Sequence, residues 1–325
     1  MPKRLPGMIS AVLIVVTVLT GAAGPPVLQA GEIRIGTWKT AQTIQPFFYN
    51  RFLPNTDRVV VCPFTNPADQ KMALLAGSLD MCGTTIAHAV YSASRGEPVV
   101  VVAALCNRCS ALVVGSDTGI GGIRDLKGRR IGYVPGTMHE ILLREVLNRE
   151  GISPDRDVQL RRIDFFDMGT ALSRGHIDAF LSGEPYPSLA GFLGYGTILA
   201  YPYYTNSIGT INAAMLVTRK TIEKSPEGVL KLVLAHARST RYLNSHPGEW
   251  LRRASDFGVS LDVLKRCRIN MEPAWEINEA FVRRAKALGA RMLELGLISA
   301  LPDYKNLFDL TFSIKVNAYL DLHES

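Results

Sequence analysis

The stretch IGGIRDLKGRRIGYVPGTMHEILLREV, residues 120–146, carries the pattern that decides the fold. A basic, glycine-punctuated turn leads into a short apolar segment, a sharp Val-Pro-Gly-Thr turn and an amphipathic stretch with Met138, Leu142 and Val146 four residues apart. Gly151 is expected to end this helix in the left-handed conformation. A strand that feeds a helix through a tight turn is the unit from which layered α/β proteins are built.

The chain has 325 residues, of which 47% are hydrophobic and 20% charged, enough for a large core divided between two domains. Lys3 and Arg4 precede an apolar run at 11–20, which is the layout of a secretory signal peptide. Residues 1–30 are therefore predicted to be a signal that is cleaved after Ala30, so that the mature chain reaches the periplasm. An uncleaved anchor is the alternative, although the run is shorter than the roughly 20 residues of a membrane-spanning helix.

The charge pattern argues against a nucleic-acid partner. The formal net charge is +7, and basic residues such as Arg129, Arg130, Arg161 and Arg162 are spread along the chain in pairs. A nucleic-acid surface usually carries a denser basic cluster. No nucleic acid is expected as a partner, and a monomer is expected.

Short apolar runs alternate with amphipathic stretches from residue 32 onward, as in helices layered on a largely parallel sheet. Strands are predicted at 32–38, 58–64, 79–85 and 98–106, and the alternation restarts after 120. The last hundred residues predict mainly helices. GSLDMCGTT and GHIDAFLSGEP, which begin at Gly77 and Gly175, share a Gly-x-Leu/Ile-Asp step, so two lobes of related construction are expected.

The order GSLDMCGTT, SALVV, DLKGRRIGYVPGT, SRGHIDAFLSGEPY and AAMLVTRK resembles the nitrate/sulfonate/taurine branch of periplasmic solute-binding proteins, over roughly residues 31–250. That branch shares a domain with pyrimidine synthase-like proteins of thiamine biosynthesis. The resemblance implies an α/β, two-lobe periplasmic-binding-protein fold of type II, with two crossing hinge strands and a helical C-terminal region. The lobes are expected at 31–113 with 215–325, and at 114–214.

The resemblance also implies a function. The protein is expected to be the exported solute-binding component of an ABC importer, with no enzymatic activity and no cofactor. It would capture a small solute, an anion such as a sulfonate, taurine or nitrate, and deliver it to a permease in the inner membrane. The alternatives are a pyrimidine-precursor-related binding protein or enzyme, a sensor domain, and a cysteine-dependent binder of a metal complex.

Two turns at helix starts are candidates for anion binding, because a helix N-terminus presents unpaired N–H groups. One follows Gly136 and contains Thr137, which with Glu140 also fits a capping box that would use the same N–H groups internally. The other contains Thr85, where His88 replaces the capping acid, so its N–H groups are expected to be freer.

The end of the first strand and a Glu-Pro-Tyr motif supply further candidates. Trp38 is predicted either to line the cleft or to lie in the core, and Lys39 either to pair with an acidic ligand or to be solvated. Glu184 is predicted either to bind a cationic or hydrogen-bonding group or to act internally. The predicted ligand contacts are Trp38, Lys39, Thr40, Gly83, Thr84, Thr85, Ser110, Gly136, Thr137, Met138, His139 and Glu184.

The cysteines depart from the family pattern. Cys62, Cys82 and Cys106 fall near the ends of predicted strands, and Cys106 with Cys109 forms a C-x-x-C. A local disulfide, buried core thiols, and a soft-metal site formed by Cys62, Cys82 and Cys106 are the three interpretations. The spacing matches no zinc pattern, so no metal is the primary prediction.

Overall fold

The computed structural model describes residues 32–203, 208 and 210–324. The predicted signal peptide at 1–30 lies outside these residues. Within the described part of the chain, no helix combines the length and the apolar character needed to cross a bilayer.

Strands in the described residues form two mixed sheets of five strands each. The first sheet has the order β2-β1-β3-β10-β4 and the second the order β7-β6-β8-β5-β9. β10 runs antiparallel in the first sheet and β5 runs antiparallel in the second. The strands are β1 (Glu32–Thr37), β2 (Arg58–Pro63), β3 (Met81–Thr85), β4 (Val99–Cys106), β5 (Ser110–Gly115), β6 (Arg130–Tyr133), β7 (Gln159–Arg162), β8 (Ala179–Gly183), β9 (Gly196–Ala200) and β10 (Ala213–Thr218).

Helices cover both sheets, and the predicted helical C-terminal region is confirmed. The α-helices are α1 (Pro67–Leu75), α2 (Ile86–Ser94), α3 (Met138–Arg149), α4 (Met168–Ser173), α5 (Tyr186–Phe192), α6 (Arg219–Lys224), α7 (Pro226–Ser245), α8 (Pro247–Ser255), α9 (Leu261–Cys267), α10 (Glu279–Glu294), α11 (Tyr304–Leu307) and α12 (Thr311–His323). Short 3₁₀ helices lie at Ala41–Thr43, Gln45–Arg51, Ile123–Leu126 and Arg268–Asn270. The helix predicted after the Val-Pro-Gly-Thr turn is α3, and Gly151 follows it with φ of +70°.

The Gly-x-Leu/Ile-Asp step that the two segments share has a structural basis, because it forms the same turn once in each lobe. Gly77 after α1 and Gly175 after α4 have φ of +75° and +68°. Asp80 N then donates to Arg34 O of β1 at 2.9 Å, and the Asp80 carboxylate accepts from Arg34 N at 2.8 Å. Asp178 repeats this at the start of β6, where its carboxylate accepts from Arg130 N at 2.8 Å. Each motif thus ends a helix and ties the following strand to its neighbour.

The two lobes meet along helices as well as at the two crossings, the places where the chain passes from one lobe to the other. Val90 of α2, Leu142 of α3 and Leu288 of α10 belong to one continuous buried cluster. Glu145 of α3 forms an ion pair with Arg291 of α10. α2 and α10 cover the first lobe and α3 covers the second, so this apolar contact holds one lobe against the other.

The strand pairing bears on where one lobe ends. The predicted boundary after residue 113 falls inside β5, and β5 pairs only with β8 and β9 of the second sheet. β10, which follows the second crossing, pairs only with strands of the first sheet. We therefore propose that the lobe boundaries lie at the crossings, near residues 107–109 and before Ala213. Sequence patterns missed β9, the edge strand of the second sheet.

Candidate functional site

A cavity lies between the two sheets, at the carboxyl ends of β1, β3 and β8, where open α/β sheets commonly bind ligands. Its empty volume, including the part open to solvent, is about 480 Å³. Both lobes and both crossings contribute to its wall. The lining residues are Trp38, Thr40, Gln42, Thr43, Thr85, Cys106, Cys109, His139, Phe165, Phe166, Ser182, Gly183, Glu184, Tyr186, Asn212 and Ala213.

Five of the predicted contact residues line this cavity: Trp38, Thr40, Thr85, His139 and Glu184. Trp38 satisfies both interpretations at once, since it is only 8% exposed and also forms part of the cavity wall. Thr85 likewise caps α2 by accepting from His88 N at 3.3 Å while it faces the cavity. That these residues contact a ligand stays a prediction.

The turn before α3 satisfies its own hydrogen bonds. The Thr137 hydroxyl donates to Val134 O at 2.7 Å and accepts from Glu140 N, and the Glu140 carboxylate accepts from Gly136 N at 2.7 Å. Met138 is fully buried in the core. None of Gly136, Thr137 and Met138 lines the cavity, so this helix start offers it few free N–H groups.

The remaining predicted contacts surround the cavity without lining it. Lys39 is exposed and lies in a neighbouring groove. Gly83 and Thr84 are buried within β3, and a Cβ on Gly83 would lie 2.5 Å from Leu105 Cδ2, which explains the need for glycine there. Ser110 is fully buried behind His139.

Several lining residues were missed by sequence reasoning. Phe165 and Phe166 follow the end of β7 after two intervening residues, so an aromatic pair close to a strand end was a usable signal. Gln42, Ser182 and Asn212 carried no such signal. Their positions depend on a 3₁₀ turn, on strand register and on the second crossing.

Within the part of the chain that the structure describes, the cavity wall carries no lysine or arginine side chain. Besides the thiols and Tyr186, its titratable groups are His139 and Glu184, and burial shifts the pKa of each in the direction that favours the uncharged form. Burial lowers the pKa of His139 to about 3, so its ring is uncharged at neutral pH. Burial also raises the pKa of Glu184 to about 7. The site is therefore far less charged than its residue types suggest.

Glu184 has mainly internal partners. Its carboxylate accepts from Asn270 Nδ2 at 3.2 Å and from Ser188 N at 3.1 Å. Its backbone carbonyl accepts from Gln42 Nε2 of the first lobe at 2.7 Å. The Glu184 side chain therefore bonds to groups within the protein, as the internal interpretation predicts, while the Glu184 backbone carbonyl links the two lobes.

Three buried polar atoms of the lining residues have no hydrogen-bond partner among the described residues: Trp38 Nε1, Gln42 Oε1 and Ser182 Oγ. An unsatisfied buried polar group costs about 1–3 kcal/mol, so such groups are rare unless a ligand or water completes them. Trp38 and Gln42 come from the first lobe and Ser182 from β8 of the second. The wall therefore offers donors and acceptors from both sides.

Aromatic rings form much of the remaining wall. Phe165 meets the His139 ring edge-on with centroids 5.2 Å apart, and Phe166 meets Tyr186 edge-on at 5.6 Å. A groove with an empty volume of about 860 Å³ continues outward and shares Thr40, Phe166 and Tyr186 with the cavity. Phe64, Phe257, Val259 and Leu264 make that groove largely apolar.

The metal alternative built on Cys62, Cys82 and Cys106 is wrong. Among the described residues, which include all five cysteines, no three His, Cys, Asp or Glu side chains are placed to share an ion. Cys62 and Cys82 both pair with Gly36, on opposite sides of β1, and β10 separates Cys82 from Cys106. Alternate strands lie about 10 Å apart, whereas zinc needs sulfur at about 2.3 Å.

All five cysteines are free thiols. Cys106 and Cys109 are buried and flank the first crossing between the sheets, so the C-x-x-C is not a local disulfide in this structure. Burial raises the pKa of Cys82 and Cys267 well above the ordinary value. The pKa of Cys109 is raised as well, first by its hydrogen bond to Cys106 and then by burial. These thiols therefore have little thiolate character at neutral pH.

A family model described as NMT1/THI5 like matches residues 58–250, more than half of the chain. The chain belongs to this family. A 4-amino-5-hydroxymethyl-2-methylpyrimidine phosphate synthase of Schizosaccharomyces pombe is 31% identical over 39% of the chain and 36% of its own length. A Brucella abortus protein named as a binding protein is 27% identical over 57% of each chain. The chain thus spans between about a third and three fifths of these curated relatives.

Solved structures match over most of this NMT1/THI5-like chain. The alkanesulfonate-binding protein SsuA from Xanthomonas axonopodis pv. citri, bound to MOPS, has a TM-score of 0.77 at 18% identity, covering 87% of this chain and all of SsuA. The periplasmic nitrate-binding protein NrtA from Synechocystis has a TM-score of 0.77 at 13% identity, covering 90% of both chains. These likenesses confirm the predicted two-lobe periplasmic-binding-protein fold.

Proposed function

We propose that the protein is the solute-binding component of an ABC importer and holds one small solute in the cavity between its lobes. The observation that carries this proposal is that three residues lining one cavity from both lobes, Trp38, Gln42 and Ser182, each have a buried polar atom without a hydrogen-bond partner among the described residues. A ligand that bonds to both sides favours the closed arrangement by its own binding energy. The names of SsuA, NrtA and the Brucella relative support the same role.

We propose further that the protein works in the periplasm and passes its solute to a membrane permease. The expected signal peptide and the periplasmic proteins among the structural matches support this location. The lobe surfaces would then meet the permease in the closed state.

The solute we propose has an uncharged polar head and an apolar or aromatic portion. None of the described residues that line the cavity is a lysine or an arginine, and the helix starts at Thr85 and Thr137 each carry their own threonine cap. Donors and acceptors in an aromatic cavity suit a flat, neutral, hydrogen-bonding group. The apolar groove beside Phe166 has room for an extension. The anion expected from the resemblance remains a competing prediction for the same cavity.

A thermal-shift panel of MOPS, taurine, nitrate and uracil, followed by calorimetry, tests these proposals. A ligand at 100 times its Kd stabilises the folded state by about 2.7 kcal/mol, which gives a clear rise in Tm. We expect uracil to give a larger shift than nitrate. No shift with any solute would contradict the carrier proposal, and a shift with nitrate alone would contradict the uncharged head.

An enzymatic role is the second candidate, because the Schizosaccharomyces relative is named as a synthase. It requires a reactive group. The pKa of the Cys109 thiol is raised by its hydrogen bond to Cys106 and by burial, which disfavours the thiolate, while burial lowers the pKa of His139 and leaves its ring uncharged. Mass spectrometry of each panel solute after incubation with the protein separates the roles. Conversion of a solute would favour the synthase role over the carrier role.

A further inference from the structure

We infer that a buried hydrogen-bond chain, Tyr203–Ser110–His139, locks the His139 ring with its proton on Nε2 and presents that N–H to the solute as a donor. This inference rests on the proposed function and specifies one side of the solute that the cavity selects. Ser110 and Tyr203 act as positioning residues, since neither lines the cavity.

The chain begins at the Tyr203 hydroxyl, which is surrounded by donors. Backbone N–H groups of Cys109 and Ser110 each donate to it at 2.8 Å, and Asn212 Nδ2 donates at 3.0 Å. The phenolic proton must therefore point to another acceptor, because a hydroxyl has one proton to give. That acceptor is Ser110 Oγ, at 2.8 Å.

The direction of the hydrogen bond from Ser110 follows from that of Tyr203. Its oxygen accepts from Tyr203 and also from Asn212 Nδ2 at 3.0 Å. The serine proton is then left for His139 Nδ1, which lies 2.8 Å away. Nδ1 must accept this bond, so the single proton of a neutral imidazole is on Nε2.

His139 is one of the residues that line the cavity. A Cβ added to Gly183 would lie 3.3 Å from both Nε2 and Cε1, so the glycine leaves this edge of the ring uncovered by a side chain from position 183. Phe165 meets the ring edge-on, and the structure assigns Nε2 no hydrogen-bond partner among the described residues. A solute acceptor, such as a carbonyl or sulfonyl oxygen or a ring nitrogen, would complete this donor.

His236 supplies an internal reference in the same protein. Its Nε2 lies 2.7 Å from Ala104 O and 3.1 Å from Ala274 O, which only accept, so its proton must also be on Nε2. Its Nδ1 accepts from the Tyr49 hydroxyl at 2.8 Å. His236 lies away from the Ser110 chain, so it should not respond to changes there.

The first test is the tautomer in the full-length protein without solute. Long-range proton–nitrogen NMR on ¹⁵N-histidine-labelled protein at pH 7, with His139 assigned through His139→Gln, should give the Nε2–H pattern for both His139 and His236. Ser110→Ala should mix or reverse the tautomer of His139 and leave His236 unchanged. An Nδ1–H or charged His139 in the wild type, or an unchanged tautomer in Ser110→Ala, would overturn the inference.

The second test asks whether the solute uses the donor. With uracil and MOPS, which both carry acceptor oxygens, as probes in calorimetry, His139→Phe keeps the ring but should weaken binding about tenfold, while His139→Gln should retain most affinity through its own N–H. Equal affinity of wild type and His139→Phe would overturn the donor role. Failure of both probes to bind, with the Nε2–H tautomer present, would contradict the proposed function for these solutes but not the locked ring.

Discussion

Glu184 shows at the residue scale how burial sets the charge of the site. Its side chain is fully buried, and burial raises the pKa of its carboxyl to about 7. The unfolded chain therefore releases this proton at lower pH than the folded chain. Stability must fall as pH rises between about 4.5 and about 7, because the folded state binds more protons over that range.

Glu184→Gln should remove this pH-dependent loss. Relative to the variant, the wild type should lose up to about 3 kcal/mol of unfolding free energy between pH 5 and pH 8. Urea unfolding of both proteins at the two pH values measures it. The lowered pKa of His139 acts equally in both proteins and cancels in the difference. A wild-type-minus-variant difference that is the same at both pH values would contradict the raised pKa.

The repeated turn is the feature that matters at the element scale. Gly77 and Gly175 both have positive φ, and nothing lies within 4 Å of where a Cβ would be placed. Substitution at either glycine therefore tests backbone conformation without a packing term. Asp80 and Asp178, three residues later, bond to the neighbouring strands β1 and β6 respectively.

Gly77→Ala and Gly175→Ala should each reduce the unfolding free energy by about 1 kcal/mol, because the left-handed conformation is strained for alanine. Denaturant titration gives the value, and solute affinity should be unchanged since both turns lie outside the cavity wall. Gly248 in α8 has no positive φ, and an added Cβ there would meet only Arg252 Nη1 at 3.8 Å, so Gly248→Ala is the matched control and should not reduce stability. An unchanged unfolding free energy in both glycine variants would show that the turns adjust to alanine without strain, and would contradict this prediction.

The contacts between lobes govern behaviour at the scale of the whole molecule. Gln42 of the first lobe donates to Glu184 O of the second beside the cavity, and Asn270 donates to both Ser110 O and the Glu184 carboxylate. Glu145 and Arg291 join the lobes on the surface. Buried hydrogen bonds of this kind are worth about 1 kcal/mol each, whereas a partly exposed ion pair usually contributes less.

Gln42→Met should shift the ligand-free protein towards open forms by about fivefold, since it removes the bond to Glu184 O and keeps the side-chain volume. Small-angle X-ray scattering should register a larger radius of gyration than in the wild type. Arg291→Met is the matched control and should have a smaller effect. An equal or larger expansion in Arg291→Met would show that the surface ion pair, rather than the cavity-side bond, holds the lobes together.

Local patterns were sufficient for the architecture and for part of the site. Strand-to-helix turns, positive-φ glycines and the duplicated Gly-x-Leu/Ile-Asp step are short-range features, so residues 77–80 and 175–178 carried their structure in the sequence. Strand ends at Trp38 and Thr85 were placed at the cavity for the same reason. The edge strand β9 was not predicted, because its pairing with β5 is not encoded in its own short segment.

The sequence by itself determined the alternation of strands and helices, the two related lobes and the family, because these depend on periodicity and turn chemistry between near neighbours. Only the tertiary structure decided that Gln42 and Asn270 meet at Glu184, that Cys62, Cys82 and Cys106 lie on separated strands, and that Ser110 orients His139. The physical reason is distance along the chain. Ser110, His139 and Tyr203 become hydrogen-bonded neighbours only after the crossings bring their elements together, and burial then sets their protonation.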